Sequence, residues 1–276
     1  MDKPVTAPMI KQAKGQRRLS MLTAYDYPFG LLADKSGVDM ILIGDSLAMV
    51  VLGHEDTLSV TLDEMIHHCK PVSRAVTRAL VIGDMPFMSY EPSVELALIN
   101  AGRMVREGGV RAVKLEGAGL VLPQVEAMVQ AGIPVQGHIG LTPQRVAQLG
   151  GFKVQGKTAE AAKKLVDESL ALAEAGCFSI VLEAIPAPIA EKITEACPVP
   201  TIGIGAGVGC DGQVLVIHDI LGLYDQFLPK FAKQYAKLSE NIGDALTRFR
   251  EEVEQGSFPG PEHSFSMDED ELKKLY

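Results

Sequence analysis

The sequence predicts a (β/α)8 TIM barrel, on three observations. Eight short apolar runs alternate with helix-like segments along 276 residues, close to the ~250 residues typical of that fold. Polar residues fall at the ends of several different runs, whereas a doubly wound sheet gathers its site at one switch point. Hydrophobic residues make up 47% of the chain, aromatic residues 5%, and Trp is absent. Such an aliphatic interior suits parallel strands covered on both faces.

The elements follow in order. The opening stretch, to about Gln16, has no apolar periodicity and reads as an arm. Leu19–Thr23 reads as the first strand, and Tyr27–Ser36 as a short helix stopped by Gly37. The second strand, Met40–Ile43, enters Gly44, Asp45 and Ser46, and a long loop with His54 and Thr57 follows. Thr61, with Glu64 three residues on, makes a capping box that opens a helix running towards Arg78. The third strand, Leu80–Gly83, ends at Asp84. Ser93–Glu107 has helical spacing and stops at Gly108 and Gly109. The fourth strand holds Val113, Lys114 and Leu115 before Glu116, and Val121–Gln130 reads as a helix. The fifth, Ile133–Ile139, carries His138. A Gly-rich loop, Gly150–Gly156, precedes a helix over Ala159–Ala175. The sixth run, Ser179–Leu182, ends at Glu183, and Pro188–Ala196 reads as a short helix. Thr201–Ile204 enters the Gly203–Gly207 loop, and Gln213–Ile217 leads to His218 and Asp219. A helix over Tyr235–Gln255 and a polar tail from Ser257 complete the chain. One barrel domain with an N-terminal arm is expected over 1–256, and a polar C-terminal tail over 257–276.

Bulk properties narrow the function. The net charge is -9 and no Lys/Arg cluster dominates a segment, which argues against nucleic acid as a partner. No N-terminal apolar segment precedes the chain's first strand, and no apolar run approaches the roughly 18 residues of a membrane span. A cytoplasmic protein is expected. Cys69, Cys177, Cys197 and Cys210 form no CxxC pair and have no His at zinc-finger spacing, so they read as free thiols in a reducing compartment.

Asp45, Asp84 and Glu116 end adjacent strands, which lie about 4.8 Å apart. Three carboxylates so close repel unless a cation sits among them. Oxygen ligands without Cys or His select a hard ion, Mg2+ foremost. The competing reading is that these acids cap the helices that follow. Lys114 and Glu116 are two residues apart and share one side of their strand. Lys114 there grips an anionic substrate or forms a structural ion pair. Glu183 has apolar sequence neighbours, a setting that raises a carboxylate towards general-base range; a helix cap is the alternative. His138 is a substrate contact or a satisfied core histidine. Ser46 has no assignable His–Asp partner, so anion contact is favoured over nucleophile. The Gly203–Gly207 loop lacks dinucleotide-fingerprint spacing, and backbone crowding explains it as well as phosphate does. His67 and His68 point in different directions on a helix and do not read as a metal pair. A hard ion, an adjacent cation and a separate base form the apparatus for enolising a 2-oxo acid.

These motifs, taken in order, resemble the ketopantoate hydroxymethyltransferase family. The resemblance rests on Gly44-Asp45-Ser46, Gly53-His54 with Thr57, Thr61-Leu62-Asp63-Glu64-Met65, Gly83-Asp84-Met85-Pro86 and Val113-Lys114-Leu115-Glu116-Gly117. It continues through Gly137-His138-Ile139-Gly140-Leu141-Thr142-Pro143, Gly151–Gly156, Leu182-Glu183 and Gly203–Gly207, spanning about Ser20 to Lys230. It implies a barrel of the phosphoenolpyruvate/pyruvate type. It implies transfer of a hydroxymethyl group from 5,10-methylenetetrahydrofolate to 3-methyl-2-oxobutanoate, on the route to pantothenate and coenzyme A. Mg2+ at Asp45, Asp84 and Glu116 is implied, with Glu116 acting directly or through water. Oxo-acid contacts from Asp45, Ser46, Asp84 and Lys114, Glu183 as proton acceptor, and His138 in the site lining are implied likewise. So is assembly as a decamer, a pentamer of dimers. The alternative enzyme is a Mg2+-dependent C–C lyase or mutase of the isocitrate lyase/phosphoenolpyruvate mutase type, which uses a mobile loop with a reactive Cys; no Cys here lies at a suitable strand end. A non-catalytic scaffold would need the strand-end acids to be structural.

Overall fold

In the computed structural model, which describes residues 3–224 and 228–276, eight parallel strands close into a barrel. In chain order the elements are α1 (Ala7–Gln12), β1 (Leu19–Thr23), α2 (Tyr27–Lys35), β2 (Met40–Ile43), α3 (Leu47–Val50), α4 (Leu62–Ala75), β3 (Leu80–Asp84), α5 (Val94–Gly108), β4 (Ala112–Lys114) and α6 (Leu122–Gln130). They continue with β5 (Val135–Gly140), α7 (Val146–Leu149), α8 (Ala159–Glu174), β6 (Ser179–Glu183), α9 (Ala187–Ala196), β7 (Thr201–Ile204), β8 (Gly212–Leu215), α10 (Ile217–Leu221), α11 (Leu238–Glu254) and α12 (Glu269–Lys273). Closure comes from β1 pairing with β8, Leu19 against Gly212 through Leu22 against Leu215.

Strand alternation fixes what lies inside. Met21, Met40, Leu42, Leu80, Ile82, Ala112, Val181, Ile202 and Val214 form one buried cluster in the barrel. Side chains two residues apart share a face, so the inward row of β3 runs Leu80, Ile82, Asp84. The same parity places Ala112, Lys114 and Glu116 in one row, Gln136 and His138 in another, and Val181 and Glu183 in a third. The lower layers are mainly apolar, with Gln136 Nε2 donating to Ser179 Oγ at 2.8 Å as a buried polar pair between β5 and β6, and charged residues emerge at the C-terminal ends of the strands.

The other end of the barrel is closed by a segment that the sequence pattern does not reveal. The opening stretch, expected as an arm, folds into α1, and Val5, Ala7, Ile10 and Ala13 join the interior cluster. Thr6 caps α1 by accepting from Met9 N–H. Polar ties hold the plug: Val5 N–H donates to the Arg78 carbonyl at 2.7 Å, and Lys14 Nζ lies 2.7 Å from Asp211 Oδ2.

Elsewhere local chemistry matches the expectation. At α4, Thr61 Oγ1 accepts from Glu64 N–H at 3.2 Å, and Glu64 Oε2 accepts from Thr61 N–H at 2.8 Å. The short α3 lies within what reads as a loop. The Gly203–Gly207 loop is explained by close approach: a Cβ at Gly203 would stand 2.9 Å from Cys210 Sγ, and one at Gly207 2.5 Å from Ala187 Cβ. All four cysteines are buried free thiols. Among the described residues, no helix is long and apolar enough to cross a membrane.

The chain divides into two compact units. The first runs through His218 and includes Pro229–Ala232; the second holds Asp219–Leu228 and Lys233–Tyr276. In the second unit, α11 buries none of its residues and exposes Ile242, Leu246, Phe249 and Val253 at helical spacing. The polar tail carries α12, capped by Asp268 Oδ1, which accepts from Asp270 and Glu271 N–H.

Candidate active site

Of the acids named from the sequence, Asp84 is tied most tightly. It ends β3 beside Lys114, the last residue of β4, with which it pairs in register. Lys114 Nζ lies 2.8 Å from both Asp84 oxygens, and both side chains are almost wholly buried. Asp84 Oδ2 also accepts from Asp45 N–H at 3.3 Å, which draws the turn after β2 onto β3. Asp45 itself is 4% exposed.

Glu116 continues the inward row of β4. The Gly117 N–H bond to the His138 carbonyl, 2.8 Å, extends the pairing of β4 and β5 past the last formal strand residue. This holds Glu116 Oε1 3.3 Å from His138 Nδ1 and 3.9 Å from Lys114 Nζ. On its other ring nitrogen, His138 Nε2 stands 3.3 Å from Glu183 Oε2. Both imidazole contacts are ion-pair contacts rather than aligned hydrogen bonds. Glu183 closes β6, and Gly140 makes room for it. That glycine has φ +97°, and a Cβ there would collide with the Glu183 carbonyl oxygen. Ser46 stands at the rim with its Oγ 2.8 Å from Tyr25 Oη, outside the carboxylate network.

The electrostatics follow from burial and neighbours. Burial, with repulsion from Asp84 and Glu116, pushes the Asp45 carboxyl well above the usual range. Burial also raises Asp84, although Lys114 opposes the shift. Burial works against the Lys114 charge, but Asp84, Glu116 and Asp45 outweigh it and raise its pKa. Burial likewise opposes ionisation of Glu116, yet His138, Lys114 and the Gln144 N–H hold it below its ordinary value. His138 is pushed up to about 9: burial and Lys114 disfavour its proton, and Glu116 and Glu183 more than compensate. The surroundings of Glu183 are therefore not purely apolar, because an imidazolium stands against it.

Two buried residues of this network escaped the sequence reading. Gln144 and Tyr90, 3% and 1% exposed, tie Asp45 to Glu116. Gln144 directly follows the quoted Gly137–Pro143 motif, and that adjacency was the one available signal. An uncharged amide in a turn carries no periodicity or charge cue.

Asp45, Asp84 and Glu116 thus meet in one network. Among the described residues, however, no group of three or more His, Cys, Asp and Glu side chains is assembled to hold an ion unaided. The physical reason is that Lys114 already occupies Asp84, while Glu116 is turned towards His138 and Gln144. Direct sharing of one ion by all three acids is not how these side chains stand. Mg2+ does not require it, since this ion commonly takes one or two carboxylates, several waters and ligands from its substrate. Asp45 and Asp84 fit that demand.

Fold and site together define an α/β-barrel enzyme with a buried acid–lysine centre at the C-terminal mouth. Solved structures agree on the fold. Phosphonopyruvate hydrolase superposes with a TM-score of 0.62 at 11% identity, covering 98% of this chain and 94% of the other. A 2,3-dimethylmalate lyase of the PEP mutase/isocitrate lyase superfamily gives 0.60 at 15% identity, covering 99% and 95%. The sequence model of the family described as ketopantoate hydroxymethyltransferase matches residues 4–261. A relative from Syntrophobacter fumaroxidans named 3-methyl-2-oxobutanoate hydroxymethyltransferase is 67% identical over 275 residues, covering 100% of this chain and 98% of its own. One of the same name from Heliobacterium modesticaldum is 59% identical, with both chains covered completely. The chain belongs to the ketopantoate hydroxymethyltransferase family, and is a hydroxymethyltransferase.

Proposed function

We propose that this enzyme transfers a hydroxymethyl group from 5,10-methylenetetrahydrofolate to 3-methyl-2-oxobutanoate, giving 2-dehydropantoate in the cytoplasm. Its relatives' name supplies the acceptor. One observation carries the chemistry. The buried Asp84–Lys114 pair, with Asp45 beside it, shares a mouth with Glu183, and His138 stands between Glu116 and Glu183.

Asp45 and Asp84 would hold Mg2+, and Glu116 would reach it through water. The ion supplies Lewis-acid polarisation of the 2-oxo group. Lys114 and Ser46 hold the substrate's anionic end. Glu183 accepts the C3 proton, and the electron pair of the broken C–H bond becomes the enolate π bond. His138 steadies Glu183 through charge. Water adds to the donor's methylene carbon, both of whose C–N bonds break so that tetrahydrofolate leaves carrying the two protons of that water. The enolate carbon adds to the formaldehyde so released, and the new alkoxide takes back the proton held by Glu183. Water-accessible carboxylates alone would not favour enolate formation; fixed positive groups in a dry pocket do.

The decamer implied by the family resemblance belongs to this reading. Support comes from the uncovered apolar stripe of α11, which light scattering of the purified protein would test.

The deciding experiment combines the protein with Mg2+, 3-methyl-2-oxobutanoate and methylenetetrahydrofolate, with the product identified by mass. Glu183→Gln should retain oxo-acid binding but fail to exchange the C3 proton with D2O. Normal exchange would assign the base elsewhere. The lyase alternative predicts turnover without folate. Against it stand the cysteines: all four are buried, and burial raises each thiol, that of Cys177 to about 12, so none has the thiolate character that a reactive loop Cys needs.

A further inference from the structure

We infer that Gln144 is a positioning residue that fixes the rotation of the Asp45 and Glu116 carboxylates for a divalent ion and a 2-oxo acid. In the same inference, Tyr90 sets which way the Gln144 amide points. This rests on the proposed function and adds to it residues that touch neither substrate nor ion.

Gln144 lies in the 3-10 turn Pro143–Arg145 after β5, and its bonds use every donor it has. Its backbone N–H donates to Glu116 Oε2 at 3.0 Å. Its side-chain NH2 donates to Asp45 Oδ2 and to the Met85 carbonyl, each at 2.9 Å. Its Oε1 accepts from Tyr90 Oη at 2.7 Å. Tyr90 Oη in turn accepts from Glu116 N–H at 3.2 Å, and of the two acceptors within reach of its single proton, Gln144 Oε1 at 2.7 Å is nearer than the Glu116 carbonyl at 3.3 Å.

The orientation of the amide follows from this chain. Rotating it by half a turn would set Oε1 against a carboxylate and a carbonyl, both acceptors. It would also turn an NH2 donor towards the Tyr90 hydroxyl, leaving that proton only the longer contact to the Glu116 carbonyl at 3.3 Å. The amide therefore has one stable setting, and that setting occupies Asp45 Oδ2 while leaving Oδ1 unclaimed by it. One residue thus orients two acids delivered by different strands. Partners that hold metal-binding carboxylates commonly change ion affinity about 10- to 100-fold when removed.

The test is calorimetric titration of Mg2+ at saturating 3-methyl-2-oxobutanoate, alongside urea denaturation, on the full chain. Gln144→Met keeps the volume and removes the side-chain bonds. It should bind Mg2+ about 10- to 100-fold more weakly while retaining a cooperative unfolding transition. Tyr90→Phe leaves Gln144 present but frees its amide, and should weaken Mg2+ in the same direction by a smaller factor. Combining the two should cost about as much as Gln144→Met alone, because Tyr90 acts through Gln144. If Gln144→Met does not fold, Tyr90→Phe carries the test. Wild-type affinity in either folded variant, or strictly additive losses, overturns the inference and reduces both residues to packing. Should the wild-type enzyme itself show no Mg2+-dependent oxo-acid binding, the functional reading fails and the inference falls with it. That outcome is distinct from a normal wild type with unaffected variants.

Discussion

His138 gives a prediction whose size can be worked from the structure. Its imidazole stands 3.3 Å from Glu116 Oε1 and 3.3 Å from Glu183 Oε2, and is 2% exposed. Its pKa rises from the ordinary 6.5 to about 9, despite the opposing effects of burial and Lys114. A group that holds its proton more tightly when folded stabilises the fold wherever the unfolded chain would lose that proton. That contribution is complete below about 6.5, declines as pH rises, and is gone above about 9. At 1.36 kcal/mol per unit the gap is worth roughly 3 kcal/mol. The assay is urea unfolding of the protein in EDTA at several pH values between 6 and 9.5 (on the order of the linkage window), with the imidazole followed by NMR. Wild type should lose roughly 3 kcal/mol of unfolding free energy across that range, and His138→Gln should lose far less. Parallel curves for the two proteins, or an imidazole that titrates near its ordinary value, would refute the reasoning and make His138 a neutral spacer.

Other expectations follow from the same contacts. Lys114→Met strands Asp84 beside Asp45 without a cation, and should cost roughly 3–5 kcal/mol, the range for breaking a buried pair. Its stability should recover as pH falls, because the raised carboxyls then become neutral; a loss as small as that of an exposed pair would contradict the burial argument. Ile10→Ala should cost about 2–5 kcal/mol in urea unfolding, since Ile10 is 0% exposed in the plug of the barrel. A near-neutral result would mean that α1 is not packed there in solution.

How much of this was legible beforehand depended on the physical signal each element leaves. Strands fully covered by helices write themselves as apolar runs, so Met40–Ile43 and Thr201–Ile204 were found at their observed bounds. Asp84 and Lys114 were legible because a charge that interrupts an apolar run must be paired. The Thr61–Glu64 box was legible because two named side chains satisfy two named backbone groups. The plug was not. Of the buried residues Val5, Ala7, Ile10 and Ala13, two are alanines, Val5 lies before α1, and α1 spans only six residues. Periodicity needs more turns and larger side chains to stand out. Strand 5 begins at Val135, later than the apolar Ile133, because Pro134 lacks the N–H needed to join a ladder there. Gln144 was hidden for a different reason: its importance lies in which neighbours its amide meets, and those come from β2, β3 and β4.

The charge balance of the mouth explains why such a residue is needed. Asp45, Asp84, Glu116 and Glu183 face Lys114 and protonated His138, leaving two negative charges uncompensated if every acid is ionised. The protein's own relief is to push Asp45 and Asp84 towards the neutral form. A divalent cation is the alternative relief, and it needs those same carboxyls ionised. Proton and ion therefore compete for Asp45, so divalent affinity should fall as the solution is acidified. Repulsion that strong would also turn Asp45 away from Asp84 unless something held it. The Lys114 bonds on one side and the Gln144 amide on the other do so, which keeps two mutually repelling acids side by side before any ion arrives.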